Sequence, residues 1–345
     1  MAMVGTVVSK LSELVDGQEA VCFAALVRKS RGVTKSNKPY LKCVFRDKRV
    51  EVESALWHDS RCYGEADAWL EGSAYRLHVQ CRHDVRFGLQ LDILSARPAG
   101  DADSADGYDF FDLVPSSKFP PEDLFKRLEK LIERSIDHPQ LRALVCRVLD
   151  ENRSLFLRMP AAQNMHHSYT SGLLEHVWSM TRIAMFLAEH YGQYYDELDP
   201  PLNRGLIVAA TVLHDIGKLR ELAYHPVEAR YTTEGTLIGH VLIGRDMVRE
   251  AAARIDGFPP ELLLCLEHAI LAHHGKREFG APVAPATLEA LIVSFVDDLD
   301  AKVNMVAQKA IDPQHNEAFT EKIFALENRR FYRGVPEGSS GEPRS

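Results

Sequence analysis

At 345 residues, with 46% apolar and 26% charged side chains, the chain has the make-up of a globular protein long enough for two domains. A net charge of -8 argues against wholesale wrapping of nucleic acid, although it averages over the whole chain. Six cysteines without a Cys-x-x-Cys pattern, no signal-like N-terminus and no apolar run near the ~20 residues of a membrane span point to a reduced, cytoplasmic protein off the membrane.

Residues 1–98 read as β. Ala20 to Val27 is apolar throughout and fits a buried strand. Leu41, Cys43 and Phe45 alternate with Tyr40, Lys42 and Val44, and Val50, Val52, Ser54 and Leu56 with Glu51, Glu53 and Trp57. Tyr75, Leu77, Val79 and Cys81 repeat the period, as do Phe87, Leu89, Leu91 and Ile93. Short period-two strands between charged or Gly-containing turns predict a small all-β barrel of the OB type. Arg31 to Pro39 is too polar for a strand and is read as the loop joining the first two.

Residues 28–49 carry Arg28, Lys29, Arg31, Lys35, Lys38, Lys42, Arg46, Lys48 and Arg49 against a single Asp47, a basic segment in an acidic protein. An OB barrel holds single strands by stacking bases on aromatics and tracking phosphates with cations. Lys35, Lys38, Tyr40, Lys42 and Trp57 are therefore the candidate nucleic-acid contacts, while Phe23 and Phe87 weigh more towards core. No base-reading code is visible.

Residues 99–119 read as a solvated linker, because Pro98 to Gly107 is acidic and rich in small residues. From Pro120 the apolar period becomes helical, beginning with Leu124, Leu128, Leu131 and Ile132. Helices are predicted over about 172–191, 203–214, 239–254, 261–273 and 287–309, so residues 120–333 form an all-α domain. Residues 334–345, rich in Gly, Ser, Pro and Glu, read as a disordered tail.

Metal-binding residue types recur along the predicted helices. His176 lies on an apolar stripe with Leu173, Val177 and Met180, where a lone histidine is more often a satisfied core residue than a ligand. His214-Asp215 closes the apolar run Leu206 to Leu213, and a buried adjacent pair is costly unless paired or bound to a cation. Gly217 and Lys218 follow, a tight turn and a point charge suited to phosphate. His240 opens a helix, His273-His274 ends another before Gly275, and Asp297 comes late in the run Leu291 to Val296. Each alone is weak, but the ordered series is hard to explain as scattered core polarity. Imidazole with carboxylate suits a first-row transition metal, and the set alone would accept iron, nickel or zinc as well as manganese or cobalt.

Three segments carry a resemblance: His166-His167-Ser168-Tyr169 running on to Gly172-Leu173-Leu174-Glu175-His176, Leu213-His214-Asp215-Ile216-Gly217-Lys218, and Ala272-His273-His274-Gly275-Lys276. They resemble the HD-domain metal-dependent phosphohydrolases, and with an OB barrel in front residues 15–310 look like the YhaM-type 3′-5′ exoribonucleases. Ser168 and Ser171 depart from the usual Ala and Gly of that family. The resemblance implies a first metal on His176, His214, Asp215 and Asp297, and a second on Asp215 with His240, His273 and His274. It makes manganese or cobalt the expected ion, Lys218 and Asp215 catalytic groups, and His167 a substrate contact or proton carrier. Single-stranded RNA is the implied substrate, single-stranded DNA a further one, and a homo-oligomer the implied state. Two alternatives stand beside it: a phosphohydrolase of cyclic dinucleotides or deoxynucleoside triphosphates, and a non-catalytic single-strand binder. The barrel argues against the first, the intact ligand series against the second.

Overall fold

The computed structural model describes residues 8–34, 36–84, 88–162, 167–224, 229–311 and 317–334. The chain divides into two compact units that meet in sequence at Ser116 and Ser117.

The first unit contains β1 (Val8–Lys10), β2 (Glu19–Val33), β3 (Pro39–Arg46), β4 (Glu51–Trp57), the short helix α1 (Tyr63–Ala66), β5 (Ala74–Asp84) and β6 (Gly88–Pro98). The sheet order is β4-β3-β2-β5-β6, antiparallel throughout, with β1 added parallel to β2. Register shifts between Leu26 and Arg28 and between His78 and Val79 mark irregularities of the kind that bend strands. The Ser54 hydroxyl on β4 then donates to the carbonyl of Leu91 on β6, drawing the two edges together. This is the expected OB-type barrel. Leu41, Cys43, Phe45, Val52, Leu56, Leu77 and Leu91 all point inward, as their alternation predicts. Each fully buried Leu or Phe contributes roughly 1.5–3 kcal/mol.

Two expectations for this unit need correcting. Arg31 to Val33 are strand, Pro39 opens β3, and Thr34 N–H donates to Lys38 O at 2.9 Å. The antiparallel register of β2 and β3 carries on past the buried run, so exposed polar residues continue the ladder without a hydrophobic side. Residues 99–116 are no free linker. Asp103 is buried and receives Arg97 and the Gly100 N–H, while Leu113, Tyr108 and Phe110 pack with Phe23, Ala25 and Ala74. The acidic residues that suggested solvation include a partner for barrel arginines: Arg76 also bonds Asp106 at 2.9 Å.

The second unit is helical: α2 (Pro121–Ser135), α3 (Pro139–Glu151), α4 (Arg153–Phe156), α5 (Gly172–Tyr194), α6 (Arg204–Leu213), α7 (Lys218–Glu221), α8 (Thr233–Ile238), α9 (His240–Ala252), α10 (Pro260–Ala272) and α11 (Leu288–Ala310). A two-residue ribbon, β7 (Leu222–Ala223) with β8 (Arg230–Tyr231), follows α7. Proline opens α2, α3 and α10, where its missing N–H costs nothing. Asn203 and Thr287 cap α6 and α11 by accepting from Leu206 N–H and Ala290 N–H. Every residue from Leu206 to Leu213 is buried, as a helix apolar all round must be, and α5, α10 and α11 pack around it. The site lies at the end of this central helix.

Candidate metal centre

The centre gathers the whole sequence-predicted series. α5 presents His176 one turn in, His214-Asp215 follow the last turn of α6, His240 is the first residue of α9, His273-His274 follow α10, and Asp297 lies midway along α11. Ligand-type atoms of His176, His214 and Asp215 lie within 4.8 Å of one another, as do those of His214, His273 and Asp297, and those of His240, His273 and His274.

The tautomers show what these rings offer. His214 Nδ1 lies 2.8 Å from Thr211 O, and His273 Nδ1 2.6 Å from Ile270 O. A carbonyl only accepts, so each Nδ1 carries the proton and each Nε2 is left with a bare lone pair. His240 Nδ1 meets Glu221 Oε1 at 2.9 Å, and His176 Nδ1 meets Asp300 Oδ2 at 2.8 Å. Four imidazoles are thus braced from behind, as metal-bound histidines are. Their Nε2 atoms turn towards Asp215 and Asp297: His214 Nε2 is 3.2 Å from Asp215 Oδ2, His240 Nε2 3.4 Å and His273 Nε2 3.7 Å from Asp215 Oδ1, and His176 Nε2 3.2 Å from Asp297 Oδ1.

Buried His214 Nε2, His273 Nε2 and Asp215 Oδ1 make no hydrogen bond. Lone pairs facing lone pairs in a buried pocket are costly, and a cation among them removes the cost. The residues therefore fit a transition-metal ion.

Electrostatics agree. Burial, with His214 and His274 nearby, holds His273 well below the usual imidazole range, and burial with His240 does the same for His274, so both are neutral donors. Burial opposes ionisation of Asp215, but the Lys218 ammonium against it overcomes that and holds the carboxyl low. His176 is the exception: burial would lower it, yet Asp297 and Asp300 raise it to about 9, and a cation would take that proton's place.

Lys218 is buried with its ammonium 2.6 Å from Asp215 Oδ2, so its charge is first spent on that carboxylate. His167, backbone φ 44°, packs its ring at a tilt 5.3 Å from that of His176, with Nε2 3.9 Å from Asp300 Oδ2. Burial, aided by His176, pushes it down to about 3 and so keeps it neutral. His166 lies outside the described residues.

Sequence reasoning missed the braces. Asp300 accepts from His176 and Ser179, Glu221 takes both the ring and the backbone N–H of His240, and Asn304 accepts the His167 N–H. A signal existed: Asp300 sits one turn from Asp297 on the same helix, and Glu221 one turn from Lys218 between Leu219 and Leu222. Gly217 has a job that its neighbours in sequence do not reveal. A Cβ there would meet His240 O at 2.0 Å and Gly244 N at 2.5 Å, so only glycine lets α9 bring His240 to Asp215.

On the barrel, Tyr40 and Trp57 are cross-strand partners with rings 5.1 Å apart, and Tyr40 lies over Gly32. Trp57 and Lys38 are exposed. Lys42 is ion-paired with Glu53 at 2.6 Å. Much of the basic segment is similarly engaged: Arg31 binds Asp67, Arg46 binds Glu51, and Lys29 caps α1 and the turn after it through the carbonyls of Ala66, Asp67 and Trp69. Phe23 is core against Tyr108. Lys35 and Phe87 lie outside the described residues.

An HD-domain family model matches residues 173–302. A helical unit with that match and this His/Asp centre defines a metal-dependent HD-domain hydrolytic enzyme, here with an OB-type barrel on the same chain. The particular family follows from three relatives named 3′-5′ exoribonuclease YhaM. That of Geobacillus sp. strain WCH70 is 33% identical, covering 92% of this chain and 93% of the relative. That of Shouchella clausii is 34% identical over 94% of both, and that of Bacillus subtilis 31% identical over 92% of this chain and 95% of its own. The chain belongs to the YhaM family. A solved domain of replication protein A from Methanococcus maripaludis aligns with 26% of this chain and 93% of its own length, at 15% identity and a TM-score of 0.22. Among the described residues no helix is long and apolar enough to cross a membrane.

Proposed function

We infer that this chain is a metal-dependent 3′-5′ exoribonuclease that hydrolyses phosphodiesters at the 3′ end of single-stranded RNA, and of single-stranded DNA as a second substrate. The observation that carries this reading is the set of braced Nε2 atoms converging on Asp215 and Asp297, in a chain related to exoribonucleases along nearly its whole length.

His176, His214, Asp215 and Asp297 would hold one ion, and His240, His273, His274 and Asp215 a second, with manganese or cobalt preferred. Such ions lower the pKa of bound water from about 15.7 towards 7 and act as Lewis acids on phosphorus esters. The chain's own groups do the rest. Glu221 and Asp300 fix the rings of His240 and His176. Lys218 orients Asp215 through one of three ammonium donors, leaving others for a phosphate oxygen. His167, neutral beside Asp300, acts as a hydrogen-bonding group towards the substrate, not as a cation. On the barrel, Tyr40 and Trp57 offer stacking faces, with Lys38 and Lys35 as phosphate contacts and Lys42 reaching phosphate only by releasing Glu53. The cysteines are free, in keeping with work in the cytoplasm.

The test uses manganese-loaded protein, 5′-labelled single-stranded RNA and the same RNA blocked by a 3′-phosphate, beside the Asp215→Ala variant. A ladder shortening from the 3′ end, absent in the variant and slowed by the block, is expected. Binding without shortening, or turnover of free nucleotides alone, would sink the reading.

A further inference from the structure

The turn that leaves the metal centre carries side chains that metal binding does not use. α10 ends at Ala272, His273 and His274 follow, and the segment Gly275 to Ala281 then closes on itself. Phe279 N–H donates to Lys276 O at 3.0 Å, Gly280 N–H to Arg277 O at 3.0 Å, and Ala281 N–H to Lys276 O at 3.3 Å. Gly275 and Gly280 both hold the left-handed conformation, at φ 73° and 95°, which a side chain would strain. At Gly280 a Cβ would stand 3.4 Å from His274 Nδ1, so the turn is folded back against a ring of the centre.

The tip of this turn faces water. Phe279 is 60% exposed, and Lys276 and Arg277 beside it are exposed too. The Lys276 ammonium lies 5.4 Å from the Phe279 ring centre, over one of its two faces. Among the described residues no other ring or cation meets Phe279, and no carboxylate pairs with Arg277. Glu278 pairs with Lys276 at 3.4 Å, but both side chains are about two-thirds exposed, and such a surface pair yields readily to a competing anion.

A single exposed phenylalanine needs no explanation by itself. This one is different in its setting. Two left-handed glycines fix a ring that fills no core, and rigidly held loops beside a site are where binding groups are placed. Consecutive Cα atoms are ~3.8 Å apart, which puts the Phe279 backbone within about 9 Å of His274 Nδ1. An open aromatic face with cations beside it is the combination that holds single strands, the ring taking a base and the cations the phosphates. Proximity to the centre selects the nucleotide. A base within reach of His274 belongs to the reacting end of the strand.

We propose that Phe279 stacks the base of the 3′-terminal nucleotide while Arg277 and Lys276 meet the phosphate oxygens next to it. This rests on the exonuclease reading above and adds to it a subsite for the nucleotide that is released. Every base has a stacking face, so the subsite accepts all four and holds purines modestly tighter than pyrimidines.

Two measurements on the full chain test this. The first uses manganese and short RNAs that differ only at the last nucleotide. Removing the terminal base should lower kcat/KM about 5- to 150-fold for wild type, the effect of one stacked base. Phe279→Ala should lose as much on intact RNA and be indifferent to that removal, and Phe279→Trp should restore wild-type behaviour. The second needs no turnover: 2-aminopurine ends a strand whose last linkage is a non-hydrolysable phosphonate, with protein at saturation. Its fluorescence should fall several-fold with wild type and with Trp57→Ala, and stay high with Phe279→Ala, whose circular dichroism and manganese content match wild type. Arg277→Gln should reduce the slope of log affinity against log salt by about 0.7. RNA left uncut while Phe279 still quenches the terminal probe would support the subsite and sink the exonuclease reading. Quenching that survives Phe279→Ala, or an unchanged penalty for the missing base in that variant, would overturn the proposal whether or not RNA is cut.

Discussion

Each imidazole at the centre is useful because of what stands behind it. Glu221 and Asp300 supply no chemistry of their own, yet they decide which nitrogen of His240 and His176 is turned towards Asp215 and Asp297. Removing such a brace costs about 10–100-fold in metal affinity or activity. Glu221→Gln and Asp300→Asn should each weaken manganese binding within that range by calorimetry, with the fold intact. Affinity unchanged in both would mean that the braces are incidental. The ligands were legible in sequence because a buried His or Asp inside runs such as Leu206 to Leu213 contradicts its surroundings. Glu221 and Asp300 obey the same logic but do not stand out in the sequence, since a charge near a helix end has many solvated explanations.

Helices and strands were legible wherever one face is buried. The predicted helix at 203–214 is α6 at Arg204–Leu213, and the one at 287–309 is α11 at Leu288–Ala310. The ribbon continuing β2 past the barrel was not, because with both faces wet nothing in composition separates it from a loop. Close backbone approach is equally silent. Gly217→Ala should lower stability by about 1–3 kcal/mol, as overpacking does, and disturb manganese binding, because the helix it pushes is the one carrying His240. A thermal melt with and without metal checks both, and a melt matching wild type would refute the contact. Residues 99–116 join the barrel through Asp103, whose hydrogen bond from Arg97 outweighs desolvation and lowers it to about 2. A depressed carboxyl stabilises above its unfolded pKa, near 4, and loses that contribution as pH falls towards 2. Asp103→Asn should therefore destabilise the barrel at neutral pH and flatten its acid unfolding between pH 4 and 2, followed by tryptophan fluorescence. An unchanged acid limb would remove Asp103 from the account.

The molecule joins a unit whose His/Asp centre fits cations to a barrel that carries the aromatic pair Tyr40 and Trp57. On the barrel the aromatic pair outweighs the charge, because Lys29, Arg31, Lys42 and Arg46 are already engaged. Base stacking contributes about 1–3 kcal/mol per base, so Trp57→Ala should raise KM for long RNA roughly 5- to 150-fold with kcat little changed. A fall in kcat at constant KM would put Trp57 elsewhere in the reaction. The central claim rests on the helical unit, and manganese content measures it most directly. Equilibrium dialysis followed by elemental analysis should find two ions per wild-type chain, one after His240→Ala, and almost none after Asp215→Ala. Wild-type protein that takes up no transition metal, or Asp215→Ala that takes up as much as wild type, would contradict it.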